Sequence, residues 1–472
     1  MARETWGVAS ADVRLSATAM TECTGPSDQD WDDGAHVTFG KLQWFAMGVI
    51  MAGALLISLY SPSLLVLGLY GLFYAVFVAG NCVRLAAILT PRRKHHCPAL
   101  CDADLPDYTL IVPLYREAEV AQELVGNLSR LNYPRDRLQV LIVLEADDQA
   151  TRSAFLALDL PSFIQVVIAP PGHPRTKPRA CNFALSQARG SLVVIYDAED
   201  APDPQQLREA AARFAAEAPD LACLQAPLRI EKLGYLAFIP EQFQLEYAAL
   251  FEVLLPAYAR WGLPFPLGGT SNHFRMSALR AVGGWDPYNV TEDADIGFRL
   301  AAAGFRLDTI EHPTFETAPT SLEQWGPQRA RWIKGHLQTL AVHVRGKTRQ
   351  RPRALLALFL TLALPITASN LHAPAMLIAG LGLITDWMAD GEPSVTLADL
   401  TLYMFGWTVS AVCAAVGLRR MGEKPRYLPL FGMVGYWMMW AVASPRAVWQ
   451  FFVAPHHWDK TSHTPRTGRP SP

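Results

Sequence analysis

Apolar residues in this chain are sorted into blocks rather than spread evenly. Positions 43–89 and 354–452 are mostly apolar, while 104–350 reads as the mixed sequence of a globular domain. A hydrocarbon core about 30 Å thick is crossed by ~20 apolar helical residues. The stretches 44–60 and 63–89 each meet that requirement and are joined at Ser61-Pro62, a natural hairpin break. Pro91-Arg92-Arg93-Lys94-His95-His96 follows the second stretch, and basic flanks of spans stay cytosolic. A hairpin then puts the N-terminal tail and the 104–350 region on that same side.

The second block is harder to divide. Positions 354–387 are long for one straight helix and short for two, with Pro365 and Pro374 inside. Positions 397–418 form a clean span that ends in Arg419-Arg420, and 427–452 is apolar but broken by Ser444-Pro445-Arg446. Either 354–387 crosses once and 427–452 lies partly in the interface, or both supply extra crossings. The spans number four to six, and both arrangements leave the C-terminus cytosolic. The resulting division is a flexible tail over 1–42, a membrane hairpin over 43–90 and a globular domain over 104–345. Membrane or interfacial helices over 354–453 and a cytosolic tail over 454–472 complete it.

A formal net charge of −2 provides no basic field for nucleic acid. The seven cysteines are scattered without a framework spacing, which suits a reducing compartment. His95, His96, Cys97 and Cys101 form one local cluster, read as a basic juxtamembrane segment with incidental thiols rather than a zinc site.

Within 104–345 the alternation of short apolar runs and helical stretches predicts an α/β domain, with buried strands at 108–114, 139–144, 164–168 and 191–196. Ligands of open α/β sheets bind beyond the carboxyl ends of the strands. Those exits carry Pro113-Leu114-Tyr115-Arg116-Glu117, Glu145-Ala146-Asp147-Asp148 and Asp197-Ala198-Glu199-Asp200. A basic stretch, Arg175-Thr176-Lys177-Pro178-Arg179, opens a helix between them. Acidic and basic groups gathered this way suit a divalent cation plus a diphosphate.

Two further elements follow. Thr291 reads as an N-cap that places Glu292 and Asp293 in a first helical turn, where the helix dipole favours an ionised carboxylate. Pro327, read as a helix start, puts Gln328, Arg331 and Trp332 on one face. Phe243, Tyr247, Phe251, Leu254 and Tyr258 also share a face, read as an interfacial helix seating the domain on the bilayer.

These motifs resemble family 2 glycosyltransferases of the GT-A fold, in particular the membrane-embedded processive branch that includes cellulose and hyaluronan synthases. The resemblance implies that Asp197 and Glu199 hold Mg²⁺ or Mn²⁺, with Asp200 as the alternative second ligand. It implies that Pro113, Tyr115, Glu117, Glu145 and Asp147 hold the nucleoside of a UDP-sugar, with Lys177 approaching its diphosphate. Asp293 would be the general base, beside Glu292. Thr291, Gln328, Arg331 and Trp332 would meet the acceptor, a growing polysaccharide, and the Gly268–His273 loop would form part of that surface. The tail pattern Trp458-Asp459-Lys460-Thr461-Ser462-His463 is similar to the bacterial exopolysaccharide branch that includes phage-adsorption inner-membrane proteins. There Lys460 would close over the nucleotide.

The expected function is inverting, processive synthesis of a β-linked exopolysaccharide at the bacterial inner membrane, with the spans helping export. Regulation by a nucleotide messenger would require a partner protein. The rivals are single-sugar transfer to a polyprenyl phosphate and a non-catalytic receptor or scaffold on a transferase fold.

Overall fold

Strands β1 (Tyr108–Leu114) and β2 (Leu138–Glu145) are runs of Leu, Ile and Val buried on both faces, as parallel strands beneath two helical layers must be. Their period-two alternation divides the core. Ile111, Leu141, Val143, Val193 and Ile195 pack on one face, and Leu110, Val112, Val140, Ile142 and Val194 on the other. The computed structural model describes residues 34–93, 95, 97–231, 237–345, 352–389 and 395–457.

The remaining strands are β3 (Ile164–Ala169), β4 (Leu192–Ile195), β5 (Ala201–Pro202), β6 (Leu221–Gln225), β7 (Leu228–Ile230), β8 (Asn272–Arg275), β9 (Arg306–Thr309) and β10 (Thr314–Glu316). One sheet has the order β3-β2-β1-β4-β8-β6-β9, the other β5-β10-β7. Only β8 runs against its neighbours in the larger sheet, so β1, β2, β3 and β4 end along one edge. The first four strands lie within one residue of the positions expected from sequence.

Four described helices are long and apolar enough to cross a membrane: Lys41–Tyr60, Pro62–Leu89, Pro352–Met388 and Leu397–Arg420. The third runs on through a π-turn at Phe359–Ala363, just ahead of Pro365, where the Leu364 N–H donates to the Phe359 carbonyl. The final apolar block is two helices, Tyr427–Met438 and Trp440–Val453. Each is too short to cross alone. The break is at Met439, and Pro445 lies inside the second helix rather than at a break.

Three other expectations are corrected. The aromatic face of Phe238–Ala249 and its continuation does not lie on the bilayer: Phe243, Tyr247, Phe251 and Tyr258 are buried in the protein core. The opposite face docks on the C-terminal apolar helices, where Gln242 donates to the Pro429 carbonyl at 2.7 Å. A Cβ on Gly417 would sit 3.1 Å from Ala248 Cβ and closer still to the Ala248 carbonyl. Second, residues 34–40 are not loose tail. Ala35 is buried and donates its N–H to Asp286 at 2.6 Å, and Arg345 donates to the carbonyls of Gly34, Val37 and Thr38. Third, Pro327 lies within the helix Leu322–Arg345, not at its start.

Candidate active site

The strand exits and the helices that follow converge on one cavity of about 750 Å³. Pro113, Tyr115, Glu117, Glu145, Lys177, Asp197 and Glu199 line it from the donor-side exits, and Thr291, Glu292, Asp293, Gln328, Arg331 and Trp332 from the opposite side. Lys177, at the first position of the helix Lys177–Gln187, is its electrostatic centre. Its ammonium donates to Asp197 Oδ1 at 2.5 Å and to the Gly269 carbonyl at 2.8 Å, with Glu292 Oε1 at 3.9 Å. Burial works against that charge, but the carboxylates of Asp197 and Glu292 outweigh it and raise the Lys177 pKa. The lysine stays protonated.

Glu292 and Asp293 open the helix Glu292–Ala302. Burial lifts Glu292 to about 8. It lifts Asp293 only to about 6, held back by the Ala294 N–H that donates to Asp293 Oδ1 at 2.8 Å. Near neutral pH, Asp293 is therefore the ionised member of the pair. Thr291 occupies the N-cap position, yet its hydroxyl makes no capping bond. It packs instead against Gly335 of the helix Leu322–Arg345, where an added Cβ would lie 2.7 Å from Thr291 Cβ. Gly269, at φ +81°, brings its backbone under Asp293, whose Oδ2 lies 3.1 Å from where a Cβ would stand.

Some expected residues are elsewhere. Asp200 is fully buried beneath the turn, where it accepts from the Asp197 N–H at 2.7 Å and from the Thr270 hydroxyl. Burial pushes its carboxyl well above the ordinary range. Of the two alternatives beside Asp197, only Glu199 lines the cavity. Asp147 is exposed and paired with Arg175 at 2.6 Å, outside the cavity lining. In the Gly268–His273 loop only Gly268 and Gly269 reach the cavity. His273 lies inside the sheet, where Gln206 Oε1 lies 3.1 Å from Nε2 and the Tyr108 hydroxyl 2.7 Å from Nδ1. Lys460 and His463 lie outside the described residues. His96 does too, while His95 meets Asp308 at 3.5 Å.

Two groups escaped the sequence reading. Glu316 ends β10 and faces the cavity, and burial beside Asp200, Glu199 and Asp197 raises its pKa well above the usual range. The exit rule would have found it had so short a strand been legible. Arg329, between Gln328 and Arg331, is fully buried and donates to Glu246 at 2.5 Å. Its guanidinium lies 4.4 Å from the Phe243 ring centroid and 4.5 Å from that of Trp332. The arginine thus fixes the Trp332 ring from the protein side.

Asp197, Glu199, Glu292, Asp293 and Glu316 line the cavity near Lys177, an all-oxygen set of acidic groups that fits a hard divalent cation. Among the described residues no three His, Cys, Asp or Glu side chains are already grouped for a metal. Asp197 and Glu199 would hold an ion jointly with donor oxygens.

A mixed sheet with acidic strand exits and a lysine-bridged cleft defines a GT-A glycosyltransferase domain. Residues 106–335 match the family model described as glycosyltransferase like family 2, and the chain carries a domain of that family. A probable glycosyltransferase, YdaM, of Bacillus subtilis is 23% identical over 49% of this chain and 56% of its own. A beta-monoglucosyldiacylglycerol synthase of Synechocystis is 29% identical over 49% of this chain and 48% of its own. The chain thus spans about half the length of these curated relatives. A synthase of the same description from Nostoc matches at 23% identity over 79% of this chain and 80% of its own. The mannosyltransferase PcManGT from Pyrobaculum calidifontis, solved with GDP-Man and Mn²⁺, shares the fold. Its TM-score is 0.54 at 21% identity, covering 80% of this chain and 99% of that one.

Proposed function

We propose that the chain is a multi-pass enzyme of the bacterial inner membrane with its catalytic domain in the cytosol. It would transfer sugar from a UDP-sugar, with inversion, to a growing β-linked polysaccharide of the exopolysaccharide branch and help export the product. The observation that carries this reading is the continuity of one cavity. The lining that includes Lys177, Asp197 and Asp293 also includes Asn81, Ser369, His372 and Ser410 of the apolar helices. A carbohydrate chain entering among the spans would find polar partners there.

In this mechanism Lys177 receives the donor diphosphate, exchanging carboxylate partners for phosphate oxygens. Mg²⁺ or Mn²⁺, held by Asp197 and Glu199, would neutralise charge on the leaving diphosphate. Asp293 takes the proton from the acceptor hydroxyl, a role worth ~10²–10⁴-fold. Trp332, steadied by Arg329, offers its ring to the apolar face of the acceptor sugar. Tyr115, Glu117 and Glu145 border the nucleoside end.

A second reading has its own support: a lipid acceptor that slides in from the bilayer. The membrane part of the cavity is also lined by Phe77, Leu402, Trp407 and Trp437, and the relative aligned over most of its length is a glycolipid synthase. One experiment separates the two. Purified protein in lipid is offered UDP- and GDP-sugars with Mg²⁺, Mn²⁺ or chelator, and nucleotide release is read together with product length. Polymer from a UDP-sugar supports the first reading, and a single sugar on lipid replaces it with the second. Release that persists unchanged in chelator would remove the metal from the mechanism.

A further inference from the structure

A second large cavity, of about 970 Å³, shares no lining residue with the catalytic one. It sits where the spans meet the globular domain. Leu89 ends one apolar helix, Arg92 and Arg93 follow directly, and Arg353 is the second residue of another. The globular domain supplies Arg260, the last residue of the helix Leu255–Arg260, and Arg306 at the start of β9. Five arginines thus face two aspartates, Asp220 and Asp308.

Both aspartates are already engaged. Asp220 pairs with Arg306 at 2.7 Å, and Asp308 with Arg213 at 2.7 Å. Arg92 is committed to Glu252 at 2.8 Å. Arg93, Arg260 and Arg353 have no carboxylate within ion-pair distance among the described residues and are exposed. They come from three separate stretches of chain. Arg353 reaches across Gly262, whose Cβ position would lie 3.9 Å from Nη1. Basic residues at the ends of spans are ordinary anchors, but Arg260 adjoins no span, and its convergence with the other two is what an anchor does not explain.

We propose that this cavity binds the phosphate headgroup of an anionic phospholipid. Arg93, Arg260 and Arg353 would hold the phosphate, for which the planar guanidinium is well matched. The acyl chains would leave along Ala86 and Leu89, which line the same cavity on the membrane side. A headgroup bridged between two spans and Arg260 ties the catalytic domain to the bilayer at a fixed height. The site rests on the membrane placement proposed above but not on the transfer reaction.

The test uses the full chain, extracted in mild detergent and offered equal phosphatidylglycerol and phosphatidylcholine, with bound lipid read by native mass spectrometry. The protein should retain phosphatidylglycerol at least ~10-fold in preference, since each arginine near a lipid surface contributes severalfold. Arg93→Gln/Arg260→Gln/Arg353→Gln should lose the preference, and the triple Lys variant should keep most of it. Equal retention of both lipids by the unaltered chain, or an unchanged preference in the Gln variant, would overturn the site. Displacement of the lipid by millimolar inorganic phosphate would assign the arginines to a free phosphate and overturn the lipid. Recovery of the chain in the soluble fraction would remove the membrane placement and the site with it. Recovery in membranes without a lipid preference would remove the site alone.

Discussion

Gly335→Ala adds one methyl group where two functional helices touch. The new Cβ would stand 2.7 Å from Thr291 Cβ and closer still to that residue's Oγ1 and Cγ2. Carbon atoms pack at about 3.5–4.0 Å, so the helices must part by roughly 1 Å or Thr291 must turn away. Thr291 immediately precedes Glu292 and Asp293, so the strain is delivered to the proposed base. Overpacking typically costs ~1–3 kcal/mol, and the better helix propensity of alanine returns up to about 1 kcal/mol. Net destabilisation should therefore be about 0–2 kcal/mol, a modest fall in melting temperature. Turnover should suffer more, because a misplacement of ~1 Å can cost on the order of 10²-fold. Nucleotide release by purified protein reads the second effect and thermal melting the first. Thr291→Gly, tolerated at an N-cap, removes all three crowded atoms. In a double-mutant cycle it should recover part of what Gly335→Ala loses. Wild-type turnover in Gly335→Ala, or additive effects in the cycle, would refute the coupling.

Asp293→Asn should lower turnover at least ~10²-fold while donor binding persists, and in the unaltered enzyme kcat/KM should fall as pH drops through about 6, where Asp293 takes up a proton. A titration of donor binding beside a pH–rate profile checks both. Glu292 holds its proton up to about 8 when folded against an ordinary 4.5, so the folded chain binds more protons than the unfolded one over that range. The contribution of Glu292 to stability must then decline as pH rises from about 4.5 to 8. Glu292→Gln should flatten that decline in melting scans with chelator present. Gly417→Ala, which would press on the Ala248 backbone, should cost about 1–3 kcal/mol by overpacking. It should loosen the fit between the span and the helix Phe238–Ala249, read as faster hydrogen exchange in that helix.

The sheet was legible because its physics is local. Runs of Val, Ile and Leu announce strands buried on both faces, and polar residues at their ends mark the cleft without help from distant chain. The placement of Glu292 and Asp293 in a first helical turn was legible because a helix start has its own signature. What stayed hidden depends on contacts remote in sequence. Asp197, Glu199 and Asp200 are equivalent carboxylates as letters. Thr270, seventy residues away, helps hold Asp200 beneath the turn and leaves Glu199 beside the cavity. The helical face of Phe243, Tyr247 and Phe251 reads as membrane-seeking because pattern records apolarity and not what covers it. Arg329 sits one residue from a recognised motif position, yet nothing local marks it as the residue that carries Glu246 and the Trp332 ring.

The seating of residues 34–40 has a consequence for the order in which this protein can be made. Ala35 leaves the ribosome long before its partner Asp286, 251 residues on, and Arg345 emerges later still. Lys334 must wait for the carbonyls of Ala454 and His457. Tyr288, just ahead of the proposed base, has ring contacts with His36 from one end of the described chain and His456 from the other. The helix that carries Asp293 and the segment before it therefore receive these supports only after residue 457 has been made. A nascent chain stalled before Ala454 would hold the proposed base Asp293 behind a Tyr288 that still lacks its His456 contact.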